Sequence, residues 1–156
     1  MSTLEWSDAL VLVCAAMDET HREFVDLLAA VQAAGDDSLL VGWAELVAHT
    51  EAHFAQEDRW MAQTGFSTSN CHSTQHRIVL ELMRDGLARQ DIPMVRQMLT
   101  ELAVWFPQHA QAMDAALALH LKSVGFDTTT GVLHQPQALP PDAIHGCGGS
   151  SCASPQ

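Results

Sequence analysis

His53-Phe54-Ala55-Gln56-Glu57 sets an imidazole and a carboxylate four residues apart, inside a segment whose apolar residues recur at helical spacing. On a helix that spacing stacks the two side chains on one face, about one turn apart. The stripe around them runs Leu39, Trp43, Leu46, Thr50, His53, Glu57 and Trp60, with Val47, Phe54 and Met61 beside it. Two polar groups therefore stand where a hydrophobic core is expected, and polar side chains in a core need partners. Taken alone, the pair reads as a hydrogen-bonded core couple. The next apolar segment changes that reading, because it opens with His72 and His76, again four apart, and continues through Val79, Met83 and Leu87.

Outward from this centre the chain divides into helices. Before it, residues 17–34 carry Met17, His21, Phe24, Leu28 and Val31 at spacings of three and four, which points His21 inward. Gly35-Asp36-Asp37-Ser38 stops that helix and caps the next, Gly suiting a C′ position and Asp or Ser an N-cap. The second helix covers residues 39–63 and ends at Gly65, and residues 67–70 offer caps for a third that reaches about residue 89. Asp91-Ile92-Pro93 opens a fourth, which runs to about residue 123 with Met94, Met98, Leu102, Trp105, His109, Met113 and Leu117 along its stripe. No strand pattern occurs. Four amphipathic segments joined by short turns give an all-α, up-down-up-down four-helix bundle.

The expected domain is 1–125, with residues 1–16 as an N-terminal arm in which Trp6 and the run from Leu10 to Val13 pack across the body. From about 126 to 156 the composition turns to Thr, Pro, Gly and Ser, which reads as a flexible tail. The chain has 156 residues, enough for one core, and 47% are apolar, as in a folded domain. Seven Lys and Arg against 19 Asp and Glu leave a net charge of −12, which excludes a nucleic-acid partner and favours a soluble monomer. The apolar run from Ala9 to Met17 lacks a basic flank and follows Glu5 and Asp8, so it is no export signal, and no run spans a membrane. Cys14, Cys71, Cys147 and Cys152 form no disulfide framework, which suits a cytoplasmic setting. Cys14 reads as an inert buried thiol.

The residues predicted to face the core collect into one set: His21, His53, Glu57, His72, His76, His109 and Asp114. Burying them without a metal would cost about 1–3 kcal/mol for each group left unsatisfied. Imidazole and carboxylate without thiolate suit iron, manganese, copper or zinc. Seven ligands are too many for one tetrahedral zinc. They fit two octahedral ions bridged by both carboxylates, with room for a bridging solvent oxygen and one open position. The five-residue step from His109 to Asp114 turns about 140° on a regular helix, so the two either flank the metals or share a face through a π-bulge. Pro107 lies just before His109 and favours a kink.

These residues resemble the hemerythrin family over about residues 6–122: Trp6, Asp18-x-x-His21, His53-Phe54-x-x-Glu57, His72-x-x-x-His76, and Trp105-Phe106-x-x-His109 followed by Asp114. The resemblance, closest to single-domain bacterial members, implies a non-haem di-iron centre with a bridging oxo or hydroxo group and molecular oxygen as its reversible ligand. It implies that His72, His76 and His109 hold one iron, His21 and His53 the other, and that Glu57 and Asp114 bridge. Storage, delivery or sensing of oxygen would follow. The alternative is an enzyme reducing oxygen, peroxide or nitric oxide, with electrons from a redox partner protein. Imidazole-rich ligation supplies little negative charge for high-valent iron, and no Glu-x-x-His pair of the di-iron carboxylate class occurs. Phe24, Phe54, Trp105 and Phe106 are core residues that could also keep the site dry.

Other polar residues stay outside the set. His49, His120 and His134 are expected at the bundle edge or in solvent. Asp18 either accepts a proton from His21 or is an ordinary first-turn carboxylate. The tail segment from His145 to Cys152 reads as disordered, with a disulfide switch or soft-metal loop as the functional alternative.

Overall fold

The computed structural model describes residues 3–146, so Cys147 and Cys152 lie outside the described residues. A 3-10 turn, Asp8–Leu10, precedes α1 (Ala15–Ala33), α2 (Asp36–Gln63), α3 (Cys71–Arg89), α4 (Ile92–His109), a π-helical turn (Ala110–Asp114) and α5 (Ala115–Ser123). The backbone stays helical through both junctions of the π turn, so α4, that turn and α5 form one rod, the fourth helix of the bundle. Consecutive helices pack together and α1 also meets α4, which closes the four-helix bundle. Among the described residues there is no strand, only two isolated bridges.

Local chemistry sets the helix starts. Asn70 accepts the Ser73 N–H (2.9 Å) to cap α3, and Asp91 accepts the Met94 N–H (2.9 Å) to cap α4. Each such cap contributes about 1 kcal/mol. At α2 the expected Asp or Ser cap is absent. Gly35 itself takes the N-cap position, while Asp36 and Asp37 lie in the first turn, where the helix dipole favours them. Arg96 of α4 fastens this corner by donating to the Ala34 carbonyl (2.6 Å) and to Asp36 (2.9 Å).

The stripes of α1 and α2 are buried as their spacing predicts. That of α4 is rotated by one position: Val95, Leu99, Leu102, Phe106 and His109 face the core, and Met94, Met98 and Trp105 are only partly buried. Met98 packs on the α3 side, where Gly86 leaves room for its sulfur, so the apolar band is wider than its buried centre. One core cluster gathers around Trp43, Leu28 and Leu99, and a second around Met17, Trp60 and Leu121. The polar groups in question stand between them.

The arm is held at fewer points than expected. Leu10 is buried and Trp6 lies under the Arg22 guanidinium (5.3 Å), but Val11 and Val13 are exposed. Val13 adopts a φ of 56°, a rare conformation for a β-branched residue, as the chain turns into α1.

Within the expected tail, residues 126–146 are described and are held to the body. Ile144 donates to the Gly65 carbonyl (2.9 Å), Ser67 to Ile144 (2.8 Å) and Cys71 to His145 (2.9 Å). Leu133, Leu139 and Ile144 pack on the second core cluster. Gly65 and Gly125, with φ of 97° and 62°, make the left-handed turns that bring these segments together. The Asp and Thr content builds turns, as where Asp127 accepts the Thr129 and Thr130 N–H groups.

Candidate metal centre

All seven residues singled out by the sequence meet in the middle of the bundle, each at most 3% exposed. Asp114 sets Oδ1 2.9 Å from His72 Nε2 and 3.1 Å from His109 Nε2, and Oδ2 3.2 Å from His21 Nε2. Glu57 sets Oε2 2.6 Å from His53 Nε2 and 3.9 Å from His21 Nε2, with Oε1 3.7 Å from His72 Nε2. Two groups result: candidate ligand atoms of His72, His76, His109 and Asp114 lie within 4.8 Å of one another, and so do those of His21, His53, Glu57 and Asp114.

The π turn makes this possible. It absorbs one extra residue, so His109 and Asp114, five apart, share the inner face. Pro107 is accommodated inside α4, where it offers no N–H, and the Ala110 N–H at the start of the turn is shared between the Phe106 and Pro107 carbonyls.

Closeness here is not hydrogen bonding. Both ring nitrogens of His21, His53 and His72 and both oxygens of Glu57 and Asp114 are sealed from solvent without an aligned partner. Natural interiors satisfy nearly all such atoms. His76 and His109 show the same need differently. Each engages its Nδ1 outward, His76 with Asp58 (2.9 Å) and His109 with Gln75 (2.6 Å). With those hydrogens donated, the two Nε2 atoms turn lone pairs toward each other at 3.3 Å. Cations placed among these atoms satisfy both kinds of orphan, so the residues fit a metal centre.

Charge in the metal-free cluster is shared between imidazoles and acids. Burial opposes a proton on His21, but Asp114 and Glu57 outweigh it and lift its pKa to about 10; His72 is raised against burial chiefly by Asp114. Burial also opposes ionisation of Asp114, yet His109, His21 and His72 hold it well below the carboxylate range. Glu57 is lowered too, its burial and the Asp114 charge being outweighed by His53 and His21. His76 goes the other way, since burial keeps it neutral.

Only neutral imidazole ligates a metal, so a cation held by His21 would have to displace its proton. Apparent cobalt(II) affinity should therefore rise with pH up to about 10, by about tenfold per unit for each proton released. Chelator competition at several pH values tests this, and an affinity flat between about pH 7 and 9 would contradict it.

Aromatic rings wall the cluster. Phe54 stacks on His76 (4.0 Å between centroids) and Trp105 on His109 (4.5 Å), while Phe106 meets His21 edge-on (5.2 Å) and packs against Phe24 (4.6 Å).

Sequence reasoning missed Asp58 and Gln75. Each adjoins a residue of the set in sequence but serves an imidazole on the next helix, a relation that only packing creates. His120 was placed at the edge, yet its Nε2 donates to the buried Thr64 carbonyl (2.7 Å). Asp18 pairs with the Leu12 N–H (2.8 Å), tying the arm to α1 rather than serving His21. His49 sits at the rim beside Glu23 (3.1 Å), and His134 is exposed. Cys14 and Cys71 are half-buried thiols whose pKa values burial pushes up.

The fold and the site together define a helical bundle built around a buried, thiolate-free cation centre. Residues 13–119 match the family model described as the hemerythrin HHE cation binding domain. The chain belongs to the hemerythrin family. It is similar to a bacteriohemerythrin of Ralstonia nicotianae, 38% identical over 130 residues that make up 81% of this chain and 95% of the relative. A bacteriohemerythrin of Stenotrophomonas maltophilia is 26% identical over 131 residues, 79% of this chain and 84% of its own. No solved structure matches significantly. No helix among the described residues is long and apolar enough to cross a membrane.

Proposed function

We propose that this chain binds molecular oxygen reversibly at a pair of iron ions, for storage, delivery or sensing. The main support is the split of the two buried carboxylates. Asp114 offers one oxygen to His72 and His109 and the other to His21, and Glu57 divides its oxygens between His72 on one side and His21 and His53 on the other. A carboxylate that turns one oxygen to each of two imidazole groups is arranged to bridge two cations. His72, His76 and His109 would hold one ion, and His21 and His53 the other, with Glu57, Asp114 and an oxo or hydroxo group between them.

When bound, the iron pair supplies electrons and an open coordination position to oxygen. The chain does the rest. Five imidazoles and two carboxylates carry little negative charge, which disfavours high-valent iron and irreversible oxidation. Phe24, Phe54 and Phe106, each at most 2% exposed, would exclude water from the site and so slow proton delivery into it. The matched relatives, both named bacteriohemerythrin, agree with this role.

The test is the visible absorption of iron-loaded, reduced protein as oxygen is admitted and then withdrawn, alongside an iron count. A band that comes and goes with oxygen, at about two irons per chain, is the expected result. Irreversible oxidation would count against the carrier, and oxygen consumption sustained by a reductant would make the chain an oxidoreductase instead.

A further inference from the structure

We propose that Asp58 is a positioning residue: by accepting the Nδ1–H of His76 it fixes that ring and makes the His72, His76 and His109 half of the centre the tighter metal site. The inference rests on the two-ion reading above and concerns a difference between the halves.

The imidazoles of the two halves are held in different ways. His76 is fixed twice, with Asp58 at 2.9 Å on its outer nitrogen and Phe54 stacked on its face at an interplanar angle of 4°. His109 is fixed the same way by Gln75 at 2.6 Å and by Trp105 at 25°. His21 and His53 have no such anchor. Their Nδ1 atoms are buried without a hydrogen-bond partner among the described residues, and their contacts are tilted or edge-on rings. One half therefore has three imidazoles, two of them oriented in advance, and the other has two with neither oriented. A ligand already in position loses less freedom on binding, so the first half should capture its ion first.

Asp58 also does what Gln75 cannot. A carboxylate on the outer N–H pushes electron density through the ring and makes Nε2 a better donor, whereas a neutral amide only orients. Its charge is not spent elsewhere. Arg77 and Arg84 line the same groove between α2 and α3 but pair with Glu81 (3.7 Å) and Glu51 (2.7 Å), and the Asp58 side chain, 42% exposed, has the His76 Nδ1–H as its one hydrogen-bond partner among the described residues.

The experiment combines anaerobic titration of the metal-free chain with ferrous iron and 15N NMR of its histidines before any metal is added. Wild type should bind iron in two resolved steps. Asp58→Ala should weaken the first step by about 10–100-fold and leave the second nearly unchanged, and Asp58→Asn, which keeps an acceptor oxygen, should recover part of the loss. In the metal-free protein His76 should be the Nδ1–H tautomer in wild type and Asp58→Asn, and a tautomer mixture in Asp58→Ala. An unchanged first step, or two steps that weaken together, overturns the proposal, as does a His76 tautomer indifferent to Asp58. Binding of a single iron with the expected tautomers would instead overturn the two-ion reading and leave the positioning of His76 standing. Melting curves confirm that both variants fold.

Discussion

Replacing Asp114 by Ala is expected to empty both halves of the centre at once. Its two oxygens reach His21 on one side and His72 and His109 on the other, and it alone belongs to both ligand groups. Its removal would take a ligand from each of the two proposed ions and the nearest negative charge from the neighbouring imidazoles. Loss of an outer partner already costs about 10–100-fold in metal affinity, so loss of a shared ligand should cost at least about 100-fold at each half. Iron content should fall well below one per chain, and any oxygen-dependent band should vanish. His53→Ala is the control, because His53 belongs to one group and its loss should spare the other ion. Two irons retained in Asp114→Ala would sink the bridging assignment.

The second large effect lies away from the metal. Trp43→Ala should destabilise the metal-free bundle by about 3–5 kcal/mol, a substantial share of the roughly 5–15 kcal/mol that holds a domain together. The indole is fully buried in the first core cluster, among Leu28, Leu39, Leu46 and Leu99, and its Nε1 donates to the Met83 carbonyl (3.0 Å). Truncation leaves a cavity between α2 and α3. Trp43 is ten residues before His53, about 15 Å along the helix, so folded molecules of the variant should still take up iron. Urea denaturation measures the loss, and a change under about 1 kcal/mol would mean that the site collapses around the smaller side chain.

Where spacing alone decided, the sequence was a sufficient guide. Met17, His21, Phe24, Leu28 and Val31 recur without interruption along α1, and the α2 stripe does so through Trp60; every one of these residues is buried. In α4 the apolar band is too wide to reveal its centre. Val95 and Met94 are both apolar, and it is packing against α3, where Gly86 lies beside Val95 and Met98, that shows which of them is buried. Sequence offered two arrangements for His109 and Asp114, and the π turn selects the shared face. The packing of residues 126–146 was not legible because Leu133, Leu139 and Ile144, which anchor them, are too far apart to form a period. Asp58 and Gln75 were invisible for a related reason, since the imidazole each one holds belongs to another helix.

Because Asp114 is common to both ligand groups and is the last of the seven in the chain, a growing polypeptide completes neither group before that residue is made. His21 leaves the ribosome 93 residues earlier (114 − 21) and has no finished site to join during that interval. Both groups then become complete at the same step of synthesis. Capture of an ion by a complete ligand group thus belongs to the nearly finished bundle.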